Sequence, residues 1–177
     1  MKLQGQDHHC EAIKNHRIVD ILLEDIIKLP ERYQEYITGL KQERYTVFGY
    51  CPKSKTAYDQ KAIVKSLQSM IVGLQKRSSA EHIFVSVSCN SRTPIRRRDL
   101  KKSMIMNELS GVTSDVQDLI NDLAKVDKAR LVVIDSAGLI TNMSDLELFI
   151  REQPTLKKII IETIVHDNQV HVLEMRR

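Results

Sequence analysis

Short apolar segments alternate with segments of helical periodicity along most of this chain, and this alternation restricts the fold more than any other feature. The predicted strand 131–136 is the clearest apolar segment, since it opens with four consecutive apolar residues, a run typical of a strand buried on both faces. Strands that alternate with helices in this way predict a parallel sheet covered by helices. The predicted strands are 45–50, 82–88, 131–136, 157–162 and, at an edge of the sheet, 169–174.

The helical segments divide the chain into two regions. Residues 58–76, 114–124 and 144–152 are predicted helices of the body, and Ser114 is the predicted N-cap of the second. Before the body, apolar residues recur at helical spacing over 10–28 and again over 33–41, with Pro30 between them. The sequence thus predicts an α/β fold: a mainly parallel central sheet of about five strands flanked by helices. A helical segment at 1–43 precedes the α/β domain at 44–177.

Composition restricts the class of protein further. The 177 residues are 42% hydrophobic and 28% charged, which suits one compact domain with a short appendage. No apolar run approaches the roughly 18 residues of a membrane span, and the N-terminus has no signal-peptide pattern. Cys10, Cys51 and Cys89 form no CxxC pair, which argues against a disulfide framework or a zinc ribbon. We therefore expect a soluble intracellular protein, cytoplasmic or nuclear, with no membrane partner.

Ser54 is the candidate reactive residue. It follows the first predicted strand in a short loop before a helix, and open α/β proteins place reactive groups at the carboxyl ends of parallel strands. Lys53 and Lys55 flank it and make the loop electropositive, which suits a phosphate neighbour. The alternative is structural, because serine is common in such loops as a helix cap or turn residue.

Residues 92–102, named here the basic segment, are the candidate DNA-binding region. A net charge of +4 is only mildly basic, so the distribution of charge is more informative than its sum. Cations on this connection could neutralise backbone phosphates of duplex DNA. The alternative is a solvated face of an amphipathic helix. The cations are Arg92, Arg96, Arg97, Arg98, Lys101 and Lys102.

The order of these features resembles the catalytic domain of resolvase/invertase-type serine recombinases, over about residues 45–173. That family opens with a strand reading Tyr-x-Arg-x-Ser and a helix carrying Asp and Gln, to which Tyr50 through Ser54 and Asp59-Gln60 are similar. Residues 131–142 with Asp145 are similar to its Asp-Arg-Leu-Ser-Arg-Asn block. The resemblance implies that Ser54 would attack a DNA phosphodiester to give a phosphoserine linkage, in a homo-oligomer.

The resemblance breaks at the arginines of the family pattern. Those arginines stabilise charge on the phosphoryl oxygens, and one preorganised donor is worth roughly 3 to 4 kcal/mol. We therefore expect a DNA-binding or recombination-associated protein with weak or no strand exchange. In any residual cleavage, arginines of residues 92–98 would stabilise that charge. The replaced positions hold Pro52, Val116, Gly138 and Thr141, and Ala137 stands where the family has aspartate.

Other ligand classes have little support in the sequence, and one other function is compatible with it. No GxxxxGKS or GxGxxG pattern is present, so nucleotide binding is not expected, and no cofactor is predicted. Asp135 ends a buried strand but has no second acidic residue at matching spacing. The alternative function is a non-enzymatic oligomerisation module that retains the recombinase fold and uses the apolar stripes at 18–27 and 104–109. No metal site is predicted, because standard zinc spacing is absent from His8, His9, Cys10 and His16.

Overall fold

A central six-stranded sheet organises the computed structural model, which describes residues 32–33, 35–39, 43–54, 59–89, 92–134, 139, 143–163 and 170–175. The strand order is β3-β2-β1-β4-β5-β6, and only the β5–β6 pair is antiparallel. The predicted α/β class with a mainly parallel sheet is confirmed. The strands are β1 (Thr46–Ser54), β2 (His82–Cys89), β3 (Ser114–Asp115), β4 (Ala129–Ile134), β5 (Leu156–Glu162) and β6 (Val170–Glu174).

Within the described part of the α/β body, three helices cover the sheet: α1 (Gln60–Ser78), α2 (Val116–Leu123) and α3 (Met143–Glu152). α1 begins at the Asp59 N-cap, whose carboxylate accepts a hydrogen bond of 3.0 Å from the Lys61 amide. Its buried residues recur every three or four positions, so one stripe of the helix faces the sheet. That stripe consists of Ile63, Leu67, Ile71, Leu74 and Ser78.

Strand alternation divides the core into two layers. On one face of the sheet, Phe48 and Tyr50 share a cluster with buried residues of α2 and α3. On the other face, Val47 and Cys51 share a cluster with α1. Helices therefore pack on both faces, as the apolar character of β4 predicts.

Part of the predicted N-terminal helical segment packs on the sheet. Residues 32–33 and 35–39 are helical, and Tyr33 and Ile37 are buried in the same cluster as α1. The helix predicted at 10–28 lies outside the described residues. The domain boundary at 43/44 stays a prediction.

Two local predictions need correction. β1 does not end at Tyr50 but continues to Ser54, so Ser54 is the last residue of a strand and not a loop residue. Among the described residues, β1 pairs with β4 as far as Tyr50 and with β2 from Phe48 to Ser54. The N-cap of α2 is Asp115, not Ser114, which belongs to β3.

The strand order reverses between β1 and β4, because the chain first builds outward through β2 and β3 and then returns to the other side of β1. In open α/β sheets, the crevice at the carboxyl ends of the strands beside such a reversal is the usual ligand site. Ser54 ends β1 at this edge, and the basic segment follows β2 at the same edge.

Candidate nucleic-acid interface at the carboxyl edge of the sheet

Ser54 lies at the exposed carboxyl end of β1. It pairs with Cys89 of β2 across an irregularity in the register after Lys53. Lys53 is partly buried, and Lys55 lies outside the described residues. The strand therefore presents a serine at the sheet edge where the sequence predicted one.

The residues that follow Ser54 in the recombinase-like pattern have structural roles. Asp59 caps α1, and the Gln60 amide donates a hydrogen bond of 2.5 Å to the Glu108 carboxylate. Val116, at a position where the family has arginine, is fully buried at the start of α2. Gly138 and Thr141 lie outside the described residues. Pro52 is buried within β1.

Two buried side chains anchor the basic segment to the body. Ile95 begins a short 3-10 turn, Ile95–Arg97, and packs into the core beside α2 and α3. Arg98 follows this turn and is almost fully buried. The Gln117 amide of α2 donates hydrogen bonds to the carbonyl oxygens of Arg96 and Arg98, at 3.1 and 2.5 Å. Backbone carbonyls and buried side chains of the basic segment therefore both hold it against α2.

A chain of hydrogen bonds runs from Arg98 into the sheet. Arg98 donates from Nη1 to the Tyr50 hydroxyl at 3.1 Å and from Nε to the Thr93 carbonyl at 3.0 Å. The Tyr50 hydroxyl donates to Ser86 Oγ at 2.8 Å, and the Ser86 hydroxyl donates to the Asp99 carboxylate. The Arg98 guanidinium can only donate and an ionised Asp99 carboxylate can only accept, so these two groups fix the direction of every hydrogen bond between them.

Asp99 combines an unusual backbone with a perturbed carboxyl. Its φ is +52°, in the left-handed region that few residues other than glycine occupy. Burial raises the pKa of its carboxyl, although hydrogen bonds from Ser86 and from the Val116 amide at the start of α2 oppose that rise. Asp115 lies close enough to add to the rise. The carboxylate thus ties the basic segment to both β2 and α2.

The remaining cations of the basic segment point outward. Arg96 is exposed and forms an ion pair with Glu152 of α3. Arg98 is the exception, because its side chain points into the protein and donates hydrogen bonds to Tyr50 and Thr93. The other exposed cations are Arg92, Arg97, Lys101 and Lys102.

Apolar side chains and a cleft adjoin these cations. Leu100 is 70% exposed and Met104 is 78% exposed. Ile105, Met106 and Leu109 belong to the same predicted apolar stripe as Met104, but they are partly buried against the core. A cleft of about 410 Å³ lies between the turn at Met104–Glu108 and the start of α2, and it is lined by Lys102, Met104, Asn107, Thr113 and Asp115, among others.

Sequence reasoning missed Tyr50, Ser86, Asp99 and Gln117 as the residues that hold the basic segment. The side chains of Tyr50 and Ser86 point to the same face of the sheet. The alternation of side chains along each strand was the one sequence feature that could have indicated this. Nothing in the local sequence pairs Asp99 with Ser86, because their contact requires the turn at 95–98.

In comparisons with protein-family models, curated proteins and solved structures, nothing matches the chain. The resemblance to serine recombinases therefore stays a prediction from the sequence motifs. Within the described ranges, no helix has the length and apolar content needed to cross a membrane. In that same part of the chain, no three His, Cys, Asp or Glu side chains gather closely enough to hold a metal ion.

Proposed function

We propose that the protein binds the phosphate backbone of duplex DNA through the exposed cations of the basic segment, and that it does not exchange strands. One observation carries this proposal: the cations belong to a segment that buried Ile95 and Arg98 anchor to the sheet. Cations on an anchored segment lose less conformational entropy on binding than cations on a free loop.

The position of the basic segment supports the proposal. It lies at the carboxyl edge of the sheet, near the strand reversal where α/β proteins bind ligands. Arg97, Lys101 and Lys102 are exposed there, and each phosphate that they contact would release condensed counterions and make affinity depend on salt.

Loss of the family arginines supports the absence of strand exchange. Pro52 has no charge, and Val116 lies in the core, so neither can stabilise a phosphoryl transition state. Arg98 is bound to Tyr50 and Thr93 within the protein. Ser54 would have to attack a phosphodiester without charge stabilisation from these three positions.

Fluorescence anisotropy of a mixed-sequence duplex across a salt series tests the DNA-binding proposal. The variant is Arg97→Ser, Lys101→Ser and Lys102→Ser. Its matched control changes three exposed lysines of α1 to serine, at Lys61, Lys65 and Lys76, and removes the same charge, from +4 to +1. We expect the first variant to bind much more weakly and the control to bind like the wild type. Equal losses in both would mean that net charge alone governs binding.

An adduct assay tests the absence of strand exchange. Ser54 attack would leave the protein covalently attached to a DNA end, which denaturing electrophoresis detects. We expect no adduct with wild-type protein. An adduct that disappears in Ser54→Ala would instead assign cleavage to Ser54, and an adduct that persists in that variant would exclude Ser54 as the nucleophile.

A second candidate function, self-association, is favoured by the exposure of Leu100 and Met104 beside the basic segment. The apolar stripe at 18–27 that the sequence offered for the same role lies outside the described residues. Sedimentation velocity at increasing concentration tests this function. A homo-oligomer that Leu100→Ser and Met104→Ser dissociate would support it, and a monomer at every concentration would exclude it.

A further inference from the structure

The two edge strands of the sheet differ in how well they are protected against pairing with another strand. β3 has two residues, so it offers almost no edge. β6 has five residues and pairs with β5 on one side, and among the described residues no strand lies beyond it. Natural edge strands are protected by proline, lysine, a bulge or very short length, and β6 has none of these. β6 is therefore an edge at which a further strand can pair.

The hydrogen bonds to β5 show which backbone groups of β6 face outward. Met175, directly after β6, donates from its amide to the Lys157 carbonyl of β5 at 2.9 Å. Hydrogen-bonded and non-hydrogen-bonded pairs alternate along an antiparallel ladder, so His171 and Leu173 also direct their amide and carbonyl groups to β5. The residues whose amide and carbonyl groups point away from the sheet are therefore Val170, Val172 and Glu174.

Exposed apolar side chains accompany this open edge. Val172 is 39% exposed and Leu173 is 38% exposed, on opposite faces of the sheet. Tyr36 is exposed beside them, because the Lys158 ammonium lies 6.0 Å from its ring and 3.1 Å from a carboxylate oxygen of Glu174. The carboxylate of β6 is thus paired with a cation of its own chain, and it does not oppose the approach of a second strand.

We propose that β6 is the interface of a homodimer, in which the β6 strands of two copies pair antiparallel about a two-fold axis at Val172 and join the two sheets into one. In this register Val172 lies opposite Val172 of the second copy, and Val170 lies opposite Glu174, so every outward-facing residue of the strand has a partner. On the other face of the sheet, His171 lies opposite Leu173. No like charges face each other, and the strand is therefore complementary to a second copy of itself.

The proposed dimer interface is separate from the surfaces already described. The basic segment follows β2, and three strands lie between β2 and β6 in the sheet. Leu100 and Met104, which the second candidate function would use, adjoin that same segment. Dimer formation through β6 can therefore be lost without loss of DNA binding, and the reverse also holds.

Sedimentation velocity of the full chain tests the interface. A five-residue edge makes a small interface, so we expect the mass to rise from that of one chain toward that of two between about 5 and about 500 μM. Val172→Lys and Val172→Glu each bring two like charges together at the two-fold axis, and each variant should remain a monomer over that range. A mixture of the two variants brings opposite charges together and should restore the dimer. Val72→Lys adds the same charge on α1, at a valine that is 37% exposed, and should dimerise like the wild type.

A wild-type monomer over the whole range would overturn the proposal. So would a dimer that Val172→Lys leaves intact, or a mixture of Val172→Lys and Val172→Glu that stays monomeric. A dimer that Leu100→Ser with Met104→Ser dissociates, and that Val172→Lys does not, would place the contact beside the basic segment instead.

Amide hydrogen exchange of the wild type decides the question should these variants not fold. In the dimer the outward-facing amides gain hydrogen bonds, so at about 500 μM they should exchange at least tenfold more slowly than in an unstructured chain and lose this protection on dilution. Fast exchange at these amides, while those of His171 and Leu173 stay protected by β5, would overturn the interface. The outward-facing amides are those of Val170, Val172 and Glu174.

Discussion

At the scale of single residues, the Tyr50 hydroxyl connects the basic segment to the sheet, since it accepts from Arg98 and donates to Ser86. Tyr50→Phe would remove both bonds while preserving the aromatic packing, and it would leave buried polar groups without their partner. We expect it to lower the free energy of unfolding by about 1–3 kcal/mol, measured by urea denaturation. In a double-mutant cycle with Ser86→Ala, the two losses should not add. Strict additivity would contradict a connected chain.

Asp99, at the end of this series of hydrogen bonds, makes the free energy of unfolding depend on pH. Burial raises the pKa of this carboxyl above its unfolded value, so folding favours the protonated form. Its contribution to stability is complete below the unfolded pKa and is lost as pH rises through the folded pKa. Asp99→Asn has no charge to bury, so its stability relative to the wild type should improve as the pH rises from about 3 to about 7.

Urea unfolding of both proteins across that pH range measures this difference, and the exposed Asp127→Asn serves as the control for a lost carboxylate. A relative stability of Asp99→Asn that stays constant or declines with rising pH would contradict the assignment of burial as the main cause.

The residues of the candidate site were partly predictable. Ser54 and the exposed cations of the basic segment could be selected because apolar strands and charge runs are visible along the sequence, although the end of β1 was predicted four residues too early. The inward turn of Arg98 could not, because it depends on Tyr50, a partner 48 positions away in the sequence. Charge type alone does not show whether an arginine faces solvent or the protein interior.

At the scale of elements, the start of α2 depends on its cap. The Asp115 carboxylate accepts hydrogen bonds from the Gln117 and Asp118 amides, at 3.0 and 3.3 Å. Asp115→Ala should therefore cost about 0.5–2 kcal/mol in the free energy of unfolding, and Ser114→Ala should cost less. Chemical denaturation of both variants measures this, and a larger loss for Ser114→Ala would contradict the assignment of the cap.

Element types could be predicted better than their ends. The five longer strands and the three helices of the body follow from short apolar segments and from period-3.6 patterns. β3 has two residues, too few for any periodicity, and it exists because β2 offers it a parallel partner. β1 extends past Tyr50 because pairing with β2 outweighs the turn character of Cys51 to Ser54.

At the scale of the whole molecule, the two faces of the sheet carry different arrangements of charge. The α2 and α3 side holds the anchored basic segment at the carboxyl edge of β1 and β2. The α1 side holds three buried polar side chains, those of Tyr33, Arg130 and Glu162. A net charge of +4 predicted neither arrangement, because both depend on the strand order, which brings distant segments onto one face.

The salt dependence of duplex DNA binding tests the central claim most directly. Each phosphate contact contributes about 0.9 to the slope of log affinity against log salt, so removing three contacting cations should reduce the slope by up to about 2.7. We predict this reduction for Arg97→Ser with Lys101→Ser and Lys102→Ser, and an unchanged slope for the lysine control on α1. No binding by the wild type at low salt, or the same slope in both variants, would contradict DNA binding through the basic segment.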